Sequence, residues 1–373
     1  MSESKQAALP AVRVSIESTE VDPRKRNRPW LFGILLVLLP IACLLSLVIG
    51  PMDLSPFTVL SILANKIGFA GWSEATRMEQ LVVWDIRMSR CLLAILVGGG
   101  LAMAGACMQG VFRNPLADPG IIGVSGGGAM GAILMIVLGG RLMPETTMAW
   151  FGLYAVPVAA MTGAVLMTWV IYKLSLSGGQ VDLISMLLVG IAINALGGSL
   201  IGILTFISTD DELRTMTFWG LGSLGRANWQ LLLPGLLFIL FPLAFLPRYA
   251  NALNALLLGE ADAHYLGIPV TRVKRSLIAL SASIVGATVA LCGAIGFIAL
   301  VAPHMVRAAI GPDHRFLLPA SGLWGAALLL LADLGARTVA APAELPIGIL
   351  TSLIGAPVFL ILLLKRKKGQ SQL

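Results

Sequence analysis

Three histidines, four cysteines and few carboxylates are the main residues this 373-residue chain offers for chemistry. His264 and His314 fall in polar connections, and His304 follows Pro303 near the end of an apolar run. No Ser–His–Asp set or metal cluster stands out among them, and each reads as a structural side chain. Cys43, Cys91, Cys107 and Cys292 lie in or beside apolar runs with no CxxC pair, and read as small buried hydrophobes. No GxxxxGK[ST] is present, so the chain cannot itself cradle ATP as a P-loop protein does. The stretch Val124-Ser-Gly-Gly-Gly128 lacks that lysine and reads as small-residue helix packing. Ion-coupled carriers place carboxylates or charge pairs near the membrane midplane. Here the acidic residues nearest the apolar runs, Asp182 and Asp333, fall at or near their ends. The residues therefore point away from an enzyme, and any transport by this chain is expected to be powered by a separate subunit. A carrier working alone with Na⁺ on unwound backbone, and a non-transporting scaffold, stay open as alternatives.

The elements that must position these groups are membrane helices. The chain is 57% hydrophobic and 12% charged, against about 25% charged residues in soluble domains. Charge-free runs cover 29–52, 91–112, 119–140, 146–172, 183–209, 227–247, 276–306, 316–332 and 345–364. Crossing the hydrocarbon core takes roughly 20 apolar residues, and backbone in lipid must satisfy its own hydrogen bonds, so these runs are helices. Run 276–306 would be ~46 Å long as one helix, too long for one span. Gly293-Ala-Ile-Gly296 within it predicts two helices joined by a glycine turn, the second short.

That gives an all-α polytopic protein with ten transmembrane helices. A polar segment 1–29 precedes the membrane domain 30–368, and a tail 369–373 follows it. Ten spans put both termini on one side. The clusters Arg24–Arg28 and Lys365–Lys368 make that side cytoplasmic, with 18 of the 26 Lys and Arg residues inside. The run after Arg28 reads as a retained first helix, a signal peptide being the weaker alternative. The net charge of +7 follows from this inner-side bias and does not call for a nucleic-acid partner. Segments 53–80 and 210–228, with Trp72, Phe218 and Trp219, predict short helices on the outer surface, and Trp30, Trp150 and Trp229 mark span ends.

The inner connection 248–275 holds Asn254-Ala-Leu-Leu-Leu-Gly-Glu-Ala-Asp-Ala-His-Tyr-Leu-Gly267. Glu260, Ala263, His264 and Gly267 predict a short amphipathic helix closed by glycine, with Leu256, Leu257 and Leu258 beside it. Such an element fits a groove on a soluble partner.

Over residues 80–368 the chain resembles the permease subunits of iron-chelate, heme and cobalamin ABC importers. The pieces that carry the resemblance are Ile86-Arg-Met-Ser-Arg90, Phe112-Arg-Asn-Pro-Leu-Ala-Asp-Pro-Gly120, Leu258-Gly-Glu with Leu266-Gly267, Gly293-Ala-Ile-Gly-Phe-Ile298, Pro303-His304, Asp313-His-Arg315 and Ala343-Glu-Leu-Pro-Ile-Gly348. Met88-Ser89 departs from the usual Leu-Pro but leaves both arginines in place. The resemblance implies the type II ABC importer permease fold in the bacterial inner membrane, built as a homodimer in lipid with two ATP-binding subunits beneath. It also implies a periplasmic substrate-binding protein docking through carboxylates.

By motif match, Arg87, Arg90 and Arg337 would meet that protein. Leu258, Gly259, Glu260, Ala263, His264, Leu266 and Gly267 would couple to the ATPase. Asn114, Leu116, Leu183 and Ile184 would form an apolar gate that closes by contact and dewetting. No cofactor or metal is expected on this chain, ATP-Mg belonging to the partner. Leu213–Gly225 most resembles the heme branch, and the C-terminal third also resembles the cobalamin permeases. Heme is the expected cargo, with ferric siderophore or cobalamin as alternatives.

Overall fold

A computed structural model of the chain describes residues 23–69, 75–144, 146, 152–341 and 343–370. The expectations for Trp72, Trp150 and segment 1–22 lie outside the described residues. The helices are α1 Pro23–Arg26, α2 Arg28–Val48, α3 Pro56–Lys66, α4 Arg77–Gln80, α5 Ser89–Val111, α6 Val124–Leu142, α7 Ala155–Leu174 and α8 Leu183–Phe206. They continue with α9 Asp210–Gly220, α10 Trp229–Phe245, α11 Ala250–Leu258, α12 Glu260–Tyr265, α13 Val270–Cys292, α14 Ile298–Ile310, α15 His314–Thr338 and α16 Ile347–Gln370. A π-helical segment, Leu81–Met88, runs directly into α5. The end of the bundle where α2 begins is called proximal here, and the other end distal.

Among the described residues eight helices are long and apolar enough to cross a membrane, and Ile298–Ile310 and Ile347–Ile361 are apolar but shorter. The run 276–306 is divided as expected. Helix α13 stops at Cys292, Gly293 turns the chain at φ 74°, and α14 starts at Ile298. At 13 residues α14 is ~20 Å long, less than the ~30 Å core. Pro303 sits within it.

Helix α5 is the axis of the subunit, and nearly every residue from Ser89 to Val111 is buried. Its composition explains this. Gly98, Gly105 and the alanines around them have no bulk to keep neighbours away, so a methyl group on Gly105 would collide with the carbonyl of Ala299 on α14. Gly98 meets Gly325 of α15 in the same way. The glycines that follow Val124 pack likewise: Gly127 and Gly131 of α6 lie against the backbone of α7 at Ala159 and Gly163.

Short helices α3, α4 and α9 occupy the connections where surface helices were expected. Helices α4 and α9 both open on capping boxes, Thr76 with Glu79 and Thr209 with Glu212. Arg141 at the end of α6 pairs with Glu212 at 2.8 Å, which fastens α9 to the distal end. A two-residue hairpin, Leu176–Ser177 with Gln180–Val181, turns at Gly178-Gly179 and leads into α8. Both glycines have positive φ, 57° and 79°, as the tight primed hairpin turns require.

Candidate functional site

The distal end holds a buried ionic cluster. Arg90, the second residue of α5, donates from Nε to both oxygens of Asp333 on α15 at 3.0 and 3.1 Å, and from Nη2 at 2.9 Å. Its Nη1 reaches Glu344, in the segment before α16, at 2.9 Å. Arg337 lies one helical turn after Asp333 and pairs with it at 3.1 Å. It also donates to the carbonyl and hydroxyl of Ser46 on α2 at 3.2 and 3.0 Å. Arg87, in the π-helical segment, donates to the carbonyls of Leu47 and Val48 at 2.7 Å and of Met52 at 2.5 Å. The three arginines are only 3%, 7% and 5% exposed for Arg87, Arg90 and Arg337.

These guanidiniums do not stand free on the outer face; they are used inside the chain. The physical reason is that α2 ends with unpaired carbonyls and α15 carries a carboxylate in its last turns. Each needs a donor where water is excluded, and an arginine supplies several in fixed geometry. Asp333 is a buried carboxylate that sequence reading left at a span end, but two guanidiniums neutralise it. Half-exposed Glu344 is the part of the cluster that reaches the surface.

The proximal end carries the connection between α10 and α13. Helix α11 ends at Gly259, whose φ of 139° and ψ of 158° only glycine adopts easily, and α12 then packs back as a separate turn. Gly267 closes it at φ 78°, as the sequence predicted. The coupling candidates divide between two faces. Ala263 is fully buried, and its carbonyl accepts from the Ile268 N–H at 3.0 Å. Glu260 is tied to the buried Lys274 at 2.5 Å. Leu258, His264, Leu266 and Gly267 face outward, together with Tyr265 at 88% exposure. Tyr265 was missed by sequence reading, although a lone aromatic in a polar helix is a usable signal. The result is an exposed apolar tip on a rigid base.

The gate candidates lie at the same end. Asn114 follows Arg113, a non-glycine residue at φ 49°, and accepts the Leu116 N–H at 3.0 Å, fixing a turn after α5. Leu183 and Ile184 open α8, where Asp182 caps the Ile184 N–H at 3.0 Å. The hydrogen bond from Ser185 and that cap hold the Asp182 carboxyl below its ordinary range. The turn Pro119–Ile122, shortly after Leu116, packs on α8, so the two pairs sit on adjoining elements. Leu183 is half-buried and Ile184 exposed.

The FecCD transport family matches residues 38–365. This chain belongs to that family. As a FecCD protein it is a multi-pass permease subunit of an ABC importer, a transport component and not an enzyme. The hemin transport system permease protein HmuU of Yersinia pestis is 45% identical over 342 residues, covering 91% of this chain and 97% of that one. The vitamin B12 import system permease protein BtuC of Klebsiella pneumoniae is 38% identical over 345 residues, covering 92% and 96%. Among solved structures, an inward-facing metal-chelate type ABC transporter superposes with a TM-score of 0.77 at 35% identity, covering 90% of this chain and 99% of that one. The helical architecture is thus the type II importer permease fold.

Within this FecCD chain, sequence reading did not find Ser46, Glu344, Asn254 or Asp313 as partners. Each is an ordinary polar residue, Asn254 in the middle of α11 and the others at a helix end or in a loop, and only the packing of distant segments pairs them.

Proposed function

We propose that this chain carries heme from the periplasm to the cytoplasm as one half of a homodimeric permease. Two ATP-binding subunits bind beneath it and a periplasmic binding protein delivers the cargo. The single observation that carries the cargo is the 45% identity to the hemin permease across 97% of that protein. Both termini lie in the cytoplasm, because the strongly basic segments flank the first and last helices. Ten spans follow if the two shorter apolar helices also cross, α14 doing so with the loop before it.

The exposed tip of Leu258, Tyr265 and Leu266 suits a groove on the ATPase, while Glu260 and Ala263 hold its base. ATP-Mg sits on that partner, and this chain holds no cofactor. Helix α8 has the smallest buried share of the eight long helices, which suits packing against a second copy and lining a path beside it. The docking role of Arg87, Arg90 and Arg337 is indirect in this reading. They fix the carbonyls at the end of α2 and the carboxylate of Glu344, and so shape the surface the binding protein meets.

A cobalamin permease is the second reading, favoured by 38% identity to BtuC over 345 residues. The test is to purify the complex and ask which loaded binding protein stimulates ATP hydrolysis. Stimulation by the heme-loaded protein is expected; stimulation by a cobalamin-loaded one alone would replace the cargo.

A further inference from the structure

The motif Asp313-His-Arg315 has no part in the reading so far, yet it sits where three helices meet. Asn254, on the coupling helix α11, donates from Nδ2 to Asp313 Oδ1 at 2.8 Å. Its Oδ1 accepts the backbone N–H of His314 at 2.9 Å and lies 2.9 Å from His314 Nδ1. The amide orientation is fixed by these partners, since only an NH₂ suits the carboxylate and only an oxygen suits the N–H. Nδ1 must then carry the imidazole proton. Nε2 is left as a bare acceptor, buried and without a partner, and His314 is 1% exposed.

That nitrogen faces Gly110 of α5. A methyl group on Gly110 would come within 2.8 Å of both His314 Nε2 and Leu253 Cδ2 of α11. Gly110 belongs to the last turn of α5, and its carbonyl accepts the Arg113 N–H at 3.2 Å. Asn114 follows immediately, its N–H bonded to Gln109 O at 3.1 Å. Asp313 also draws in α2 through Arg28 at 3.6 Å. One asparagine thus joins the element that carries the exposed tip to the corner that presses on the residues before the gate.

We propose that Asn254 and His314 are positioning residues that transmit movement of the α11–α12 element to the inner end of α5, and so to the gate turn at Asn114. The proposal rests on the reading that α11–α12 meets the ATPase. A polar clasp suits this task. Its hydrogen bonds are directional and hold α11 and α15 in one register, while the small Gly110 allows the imidazole to bear directly on the α5 backbone. An apolar contact of the same size would let α11 slide.

The test uses the full permease–ATPase complex in lipid vesicles with heme-loaded binding protein, measuring heme taken up and ATP hydrolysed in the same sample. Asn254→Leu keeps the branched shape and removes both polar links. Its expected effect is a fall of roughly fivefold or more in heme moved per ATP, the factor one lost hydrogen bond supplies, with ATPase association unchanged. Asn254→Gln, which restores both groups on a longer arm, should recover part of that loss. Gly110→Ala, which wedges the contact and leaves the polar groups in place, should lower the same ratio.

A merely structural role would reduce the yield or melting temperature of the complex and leave heme per ATP unchanged in what assembles; that result would overturn the proposal. Failure of the unsubstituted chain to bind the ATPase through α11–α12, shown by wild-type association in Tyr265→Ser and Leu258→Ser variants, would overturn the docking reading and this proposal with it.

Discussion

Arg90 and Asp333, 243 residues apart, meet through a bidentate side-on contact of 2.9 to 3.1 Å, and their side chains are 8% and 1% exposed. This pair, with Arg337 and Glu344, ties α5, α15 and the segment before α16 at the distal end. A buried pair of this kind is costly to break, because the remaining charge has no water to turn to. Asp333→Leu leaves two guanidiniums facing each other and should destabilise the protein by about 3–5 kcal/mol. The reading is the melting temperature of the detergent-solubilised chain. An unchanged value would show that the cluster does not hold the distal end together.

The two faces of α12 predict two different defects. Ala263→Leu forces side-chain volume into a filled space and should cost ~1–3 kcal/mol of stability. Tyr265→Ser changes only an exposed side chain, so stability should hold while association with the ATPase weakens about tenfold or more, as for an aromatic anchor at an interface. Pull-down of the ATPase and melting of the permease separate the cases. A Tyr265→Ser variant that binds as tightly as wild type would remove the tip from the interface.

Close helix packing is testable at two glycines of opposite surroundings. A Cβ at Gly105 would strike the Ala299 backbone, whereas one at Gly140 meets nothing within 4 Å. Gly105→Val should abolish accumulation of folded protein. Gly140→Ala should be neutral or stabilising by up to ~1 kcal/mol, the helix-propensity difference. Quantifying membrane-inserted protein by size-exclusion of the solubilised fraction checks both, and equal yields would contradict the packing.

Asp313 gives a pH dependence. The side-chain hydrogen bond from Arg315, with further donation from Asn254 and the Arg315 backbone, holds its carboxyl at about 2. The native state binds this proton more weakly than the unfolded chain does. Its stabilisation is therefore present above about pH 4 and is lost as the pH falls towards 2. Asp313→Asn keeps a capping oxygen at the start of α15 but loses the charge. It should flatten the acid limb of stability, narrowing its gap to wild type on the order of 1 kcal/mol between pH 5 and pH 3. Parallel melting curves at all pH values would contradict the assignment.

The span pattern was legible because lipid imposes one requirement on every segment, and because Gly293 and Gly296 break a run too long for one helix. The short helices α11 and α12 were legible for a similar local reason: three leucines beside a polar turn closed by Gly267. The arginine cluster was not. Arg87, Arg90 and Arg337 look like surface cations from sequence, and what buries them is Asp333 and Glu344, some 250 residues from Arg90 and set opposite it only by the packing of α5 on α15. The same holds for Asn254 and Asp313. Chemistry that depends on two neighbours in one helix can be read from the chain, whereas pairing across helices awaits the fold.

The central claim is that this permease moves heme only when a partner hydrolyses ATP. Vesicles reconstituted with the permease, its ATPase, internal ATP-Mg for inward-accessible sites and an external heme-loaded binding protein measure it directly. Heme accumulation is expected to require all of these and to be unchanged when proton and sodium gradients are collapsed. Accumulation driven by a gradient in the absence of ATP would contradict it.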